Sequence, residues 1–154
     1  MYQGSSVAVV VPAYNEEEFV GDVIDTMPEF VDRVYAVDDC STDGTWAEIR
    51  DHGHRVGTEA TTETDGGRRV PAVVPIRHET NRGVGGAIKT GYRRAVVDDM
   101  DVTAVVSGDG QMDPALLERF VDPIVSGDAD FTKGNRLRSR DHRAQMSGWR
   151  VFGN

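Results

Sequence analysis

Apolar positions along this chain alternate between two rhythms. Val7–Val11 is an unbroken run of valine and alanine with no polar face, the pattern of a strand buried on both sides in a parallel sheet. Phe19, Val20, Val23, Ile24 and Met27 then recur at helical spacing, and Pro28 punctuates their end. Val34–Val37 is a second apolar run, stopped by Asp38 and Asp39. Thr45, Trp46 and Ile49 predict a short helix, with Ser41, Thr42 or Asp43 available as its N-cap. Between His54 and Pro71 the apolar period is lost among Gly, Thr, Glu and Arg, so residues 54–71 are expected to be a flexible surface loop. A strand resumes at Ala72–Ile76. Val84, Ala87, Ile88, Gly91, Tyr92, Ala95 and Val96 make the cleanest amphipathic helix of the chain. Val102–Val106 is a further strand, and Asp113-Pro114 opens a helix running through Leu116, Leu117, Phe120, Val121, Ile124 and Val125. Ala129–Thr132 is a candidate final strand, and Arg136–Asn154 is polar and Arg-rich.

Strand and helix taking turns in this way predict an α/β fold: a Rossmann-like, mostly parallel sheet flanked by helices, in a single domain. Ligands of such sheets bind beyond the C-terminal ends of the strands. The segments that follow the strands are Pro12–Glu18, Asp38–Gly44, Ser107–Asp113 and Lys133–Arg138, and these also hold the unusual residues.

Composition narrows the picture. The 154 residues include 17 Asp and 9 Glu against 15 Arg and 2 Lys, a formal net charge of −9. Phosphate backbones need basic patches, so nucleic acid is not expected as a partner. The excess of Asp over Lys also fits a protein adapted to high salt. Cys40 is the single cysteine, which excludes an internal disulfide and Cys-rich zinc sites. No basic-then-apolar start resembles a secretory signal, and no apolar run approaches the ~20 residues of a membrane-spanning helix. The expected location is the cytoplasm.

Four stretches carry candidate chemistry. Pro12-Ala13-Tyr14-Asn15-Glu16-Glu17 reads as a strand-to-helix turn capped by Asn15, or as a shelf on which Tyr14 meets a base or ribose. Val37–Thr45 offers more carboxylates and hydroxyls than a cap requires, and a carboxylate there could accept the imide N–H of uracil or the donors of guanine. In Ser107–Pro114, Asp109 lies between glycines, with Gln111 two residues on. Such hard oxygens suit Mg²⁺ or Mn²⁺, with phosphate and water completing the shell, while Asp113 serves as a helix cap. In Asn81–Gly86, helix packing explains Gly85 and Gly86, and a helix start with Arg82 could also approach a diphosphate.

Taken together, VVVPAYNEE (Val9–Glu17), VDDCSTDGT (Val37–Thr45), NRGVGGAIKTGY (Asn81–Tyr92), GDGQMDP (Gly108–Pro114) and KGNR (Lys133–Arg136) resemble the family-two glycosyltransferases of the GT-A fold. Within that family they look most like the polyprenyl-phosphate (dolichol-phosphate) glycosyltransferases. The resemblance implies that Pro12, Tyr14 and Glu16 line the nucleoside site, with Asp38, Asp39 and Arg82 in the nucleotide-sugar site. Asp39 would bind the base, and Asp109, supported by Gln111, would bind the metal and serve catalysis. Arg136 would be a catalytic basic residue near the phosphates or acceptor. The implied reaction is transfer of a sugar, with inversion, from a UDP- or GDP-sugar to a polyprenyl phosphate at the cytoplasmic face of the membrane, as in protein glycosylation. Ser107 departs from the pattern, because the family has Asp-X-Asp there. The sequence stops where the acceptor side of such proteins begins, so a donor-binding core is expected, with 137–154 opening the acceptor-side region. A fragment that binds nucleotide-sugar without transferring it is the alternative. A nucleotidyltransferase is the weaker rival, since it would want a Gly-rich basic loop where this chain has Tyr14–Glu17.

Overall fold

The computed structural model describes residues 1–55, 64–65 and 68–134. Strand β1, Val7–Ala13, is buried at every position, as its unbroken apolar run requires. It pairs in parallel with β2, Arg33–Asp38, on one side and with Val102–Val105 on the other. Helix α1 is Val20–Asp25 and α2 is Thr45–Arg55. Thr64–Asp65 (β3) and Arg68–Arg69 (β4) form a small antiparallel pair. Ala72–Arg77 is β5, Gly83–Val97 is α3, and Val102–Val105 is β6. A 3₁₀ turn, Pro114–Leu116, precedes α4, Glu118–Val125.

The four long strands form one parallel sheet in the order β5-β2-β1-β6. Val9, Val11 and Ala13 of β1 face a core built with Val20, Val23 and Ile24 of α1, Ile49 of α2 and Val121 of α4. Ala8 and Val10 face the other way, into a core closed by Ala87 and Ala95 of α3. The alternation of strand side chains therefore sends α1, α2 and α4 to one face and α3 to the other. Gly91 makes the second contact possible, because a Cβ there would overlap the side chain of Val10. Gly85 has open space around it, so helix packing is the work of Gly91, not of Gly85 as expected.

Two other expectations are corrected. Ala129–Thr132 is not a strand: the Ala129 amide donates to Pro123 O at 2.9 Å and Thr132 Oγ1 to Phe120 O at 2.9 Å. Carbonyls of α4 capture this segment before it can reach β6. The stretch 54–71 is not wholly irregular, since α2 runs to Arg55 and β3 and β4 pair with one another. The rest of that stretch and residues 137–154 lie outside the described residues.

Candidate functional site

The sheet order reverses between β1 and β6: the chain builds outward from β1 through β2 to β5, then crosses back under α3 to β6. A crevice is expected at that point, beyond the strand ends. The Val106 amide donates to Val10 O at 3.0 Å, and the next donor in the ladder would be the amide of Pro12, which carries no hydrogen. The β1–β6 ladder loses one bond there. The Gly108 amide still reaches Pro12 O at 3.2 Å, because a Cβ at Gly108 would lie only 3.0 Å from that oxygen. Pro12 itself is buried, so it shapes the crevice and does not line it as expected.

The loop after β1 is fastened to the loop after β2. Asn15, at φ 55°, accepts from the Thr42 amide at 2.9 Å, and its own amide donates to Ser41 Oγ at 3.0 Å. The Glu16 amide donates to Thr45 Oγ1 at 2.8 Å, and Glu17 Oε2 accepts from the Gly44 amide at 2.6 Å. Asp43 Oδ1 accepts the Thr45 amide at 3.0 Å, the role sought among Ser41, Thr42 and Asp43. These bonds account for the excess of polar residues in 41–45. They also give Asn15 a bridging role in place of the cap expected for α1. Tyr14 is left 47% exposed at the rim, with its ring available to a ligand.

Asp38 and Asp39 are both buried, at 0% and 2% exposure. Asp38 Oδ1 accepts from the Ser41 amide at 3.1 Å, and Oδ2 lies 3.1 Å from Arg77 Nε. The guanidinium N–H is not aimed at Oδ2, which has no hydrogen-bond donor, so the contact is an ion pair alone. Asp38 therefore holds Arg77, which also stacks over Trp46 at 5.5 Å, and is closed to direct contact with a ligand. A buried carboxylate has to be paired in this way.

Asp39 Oδ1 accepts from His78 Nδ1 at 2.6 Å and from the Arg82 amide at 2.9 Å, at the first turn of α3. Burial by itself would raise the Asp39 carboxyl, but these bonds and one from the Gly83 amide outweigh it and hold the group below the ordinary carboxylate range. His78 in turn meets Thr90 Oγ1 through Nε2 at 2.8 Å. Cys40, Arg77, His78 and Glu79 line a cleft of about 400 Å³ beside this group. The Arg82 side chain is exposed at the start of α3.

Across the crevice, Asp109 Oδ1 accepts from the Gln111 amide at 3.0 Å, and Ser107 N donates to Met112 Sδ at 3.4 Å. Asp113 caps the following turn through the Ala115 amide at 3.0 Å, as expected. Burial, then the charges of Asp109 and Asp43, push the Glu16 carboxyl above its ordinary range. The loops after β2 and β6 thus bring Asp43 and Asp109 within electrostatic reach of Glu16 in the loop after β1. Among the described residues no three His, Cys, Asp or Glu side chains form a ready metal cage. The donor set fits a Mg²⁺ or Mn²⁺ ion held by one protein carboxylate, Asp109, with ligand phosphates and water supplying the remaining oxygens. Gln111 reaches Asp109 through its backbone amide. Arg136 lies outside the described residues. His78 and Arg77 were missed in the sequence, although the rule that directs attention to strand ends applies to β5 as well.

Comparison with known proteins identifies the arrangement. Residues 8–150 match the model of glycosyl transferase family 2. The UDP-N-acetylglucosamine–dolichyl-phosphate N-acetylglucosaminyltransferase of Methanococcus voltae is 26% identical over 96% of this chain and 59% of its own length. The undecaprenyl-phosphate mannosyltransferase of Micrococcus luteus is 30% identical over 84% of this chain and 48% of its own. The chain thus spans about half the length of the curated relatives it matches. Among solved structures, S. aureus TarS in complex with UDP superimposes with a TM-score of 0.58 at 21% identity, over 81% of this chain and 33% of that one. Glucosyl-3-phosphoglycerate synthase from Mycobacterium tuberculosis, in complex with Mn²⁺, UDP and glucosyl-3-phosphoglycerate, gives 0.54 at 21%, over 80% and 40%. These similarities establish the GT-A glycosyltransferase fold.

Proposed function

We propose, from the premise that this chain belongs to glycosyl transferase family 2, that it binds a UDP- or GDP-sugar in the β1/β6 crevice and serves its transfer, with inversion, to a polyprenyl phosphate. The observation that carries the reading is the coupling of Glu16 to Asp109 across the point where the strand order reverses. It supports a site with a carboxylate from each flanking loop at the crevice where ligands of parallel sheets bind. Tyr14 would stack on the base or ribose, with Glu16 beside it, and Asp39 would offer Oδ2 to a base N–H. Arg82 and the amides opening α3 would face the diphosphate. Asp109 would hold Mg²⁺ or Mn²⁺, which supplies charge neutralisation of the leaving diphosphate. An acceptor phosphate is already anionic, so the site needs no strong general base. The acceptor class is supported by the names of the two relatives above, and with it a place at the membrane face. No helix among the described residues is long and apolar enough to cross a membrane.

Calorimetric titration with UDP, GDP and dTDP in Mn²⁺ or Mg²⁺ tests the donor half. Radiolabelled UDP-sugar with dolichyl phosphate tests the transfer. Binding of no nucleoside diphosphate in either metal would overturn the proposal.

A further inference from the structure

We infer that His78 is a positioning residue for nucleotide recognition, acting through Asp39. The inference rests on the reading just proposed. Asp39 stands where the loop after β2 meets the start of α3, and its Oδ1 is fully engaged by His78 Nδ1 and the Arg82 amide. In this reading Oδ2 is the oxygen offered to the ligand, and the torsion that aims it is set by those donors together with the Gly83 amide. His78 cannot drift, because it is 4% exposed and its other ring nitrogen is latched to Thr90 Oγ1, one turn below the glycines of α3. The chain Thr90–His78–Asp39–Arg82 N therefore links the body of α3, the end of β5, the end of β2 and the first turn of α3.

Two consequences follow for a ligand. A carboxylate 2% exposed that loses the His78 donor would take up a proton more readily or turn to find a new partner. In either case it would no longer present an ionised oxygen to a base N–H in the same place. A carboxylate that turned would also let go of the Arg82 amide at the start of α3. His78 thus fixes both the ionised state of Asp39 and its aim, without itself reaching the ligand.

A structural role and a positioning role separate by donor placement. His78→Asn keeps an N–H close to the place of Nδ1, whereas His78→Gln puts its amide near Nε2 and leaves Asp39 without that donor. Titrations of UDP and GDP with Mn²⁺, paired with thermal melts, are made on the wild type and both variants. The expected result is a Kd near the wild type's for His78→Asn and one weaker by about tenfold or more for His78→Gln, at similar melting temperatures. Equal Kd values for the two variants, or a loss of affinity that tracks melting temperature alone, would overturn the inference while leaving the proposed function standing. A wild type that binds neither nucleotide overturns the proposed function and this inference with it. If His78→Gln does not fold, Thr90→Val removes the latch on the ring while keeping the volume of the side chain beside it. A weaker Kd restored by Thr90→Ser supports positioning, and an unchanged Kd refutes it.

Discussion

At the scale of single residues, the crevice is a set of carboxylates in different electrostatic states. Asp109 is half-buried and its one hydrogen bond within the loop, from the Gln111 amide, could equally be accepted by an asparagine oxygen. Asp109→Asn should therefore melt no earlier than the wild type yet lose the gain in UDP affinity that Mn²⁺ gives. Losing a charged contact of this type corresponds to roughly 1.5–3 kcal/mol. Titrations with and without Mn²⁺ measure it, and an early-melting variant would make Asp109 structural. Glu16 responds to pH in the opposite sense to a paired carboxylate. Its carboxyl titrates above the ordinary value of 4.5, so the native chain keeps that proton to higher pH than the unfolded chain does. The stability it contributes is complete below the ordinary value and is lost as pH rises through the raised one. Glu16→Gln should melt with the wild type at about pH 4 and later than it at neutral pH. Parallel melting curves at both pH values would show that Glu16 is not under pressure from Asp109 and Asp43.

At the scale of elements, α3 is placed by one missing methyl group. Gly91→Ala would drive a Cβ into Val10 and push the helix off β1. Overpacking of this kind costs about 1–3 kcal/mol. Val10→Ala in the same chain should recover part of the loss, because the two side chains compete for one space, and a urea double-mutant cycle reads the coupling. Additive losses would mean that α3 is held elsewhere. Gly91 also marks how far the sequence could be read. Its helix was legible from apolar spacing, as were β1, β2, β5 and β6, since a strand buried on both faces leaves an unbroken apolar run. The Asp113 cap was legible because Asp-Pro has few other uses. Ala129–Thr132 misled because local composition cannot say whether a neighbouring strand or the preceding helix will take the amides. The partners of Asp38 and Asp39 were not legible for a similar reason: Arg77 and His78 lie 39 positions further on, at the end of β5. Motif spacing located the crevice, but the partners that bury a motif residue are set by strand order.

At the scale of the whole molecule, the nucleotide has to approach an acidic surface. The chain carries a formal net charge of −9, yet α3 and its N-cap contribute Arg82, Lys89, Arg93 and Arg94 without an acidic residue between them. The negative charge must then be concentrated on the remaining surface, where Asp and Glu repel one another at low ionic strength. Part of that charge is already used internally: Asp98 accepts from Arg33 at 2.6 Å, Tyr35 at 2.9 Å and Arg94 at 3.2 Å, tying the end of α3 to β2. Burial and the Asp98 bond push the Tyr35 phenol up to about 12, so this junction stays intact across the pH range in which the surface carboxylates ionise. What salt changes is therefore the exposed repulsion. The screening length shrinks from about 30 Å at 0.01 M to about 3 Å at 1 M, which leaves the part-buried Asp98 junction little affected and removes most of the surface repulsion. The melting temperature at neutral pH should rise steadily with KCl through that range, and most steeply at its low end. A variant with Asp98→Asn should start lower by the loss of its junction, yet show the same rise, because the two effects reside in different places. Differential scanning calorimetry of both proteins over a KCl series decides it. A melting temperature that falls with KCl would mean that favourable surface ion pairs, and not repulsion, dominate the electrostatics of this fold.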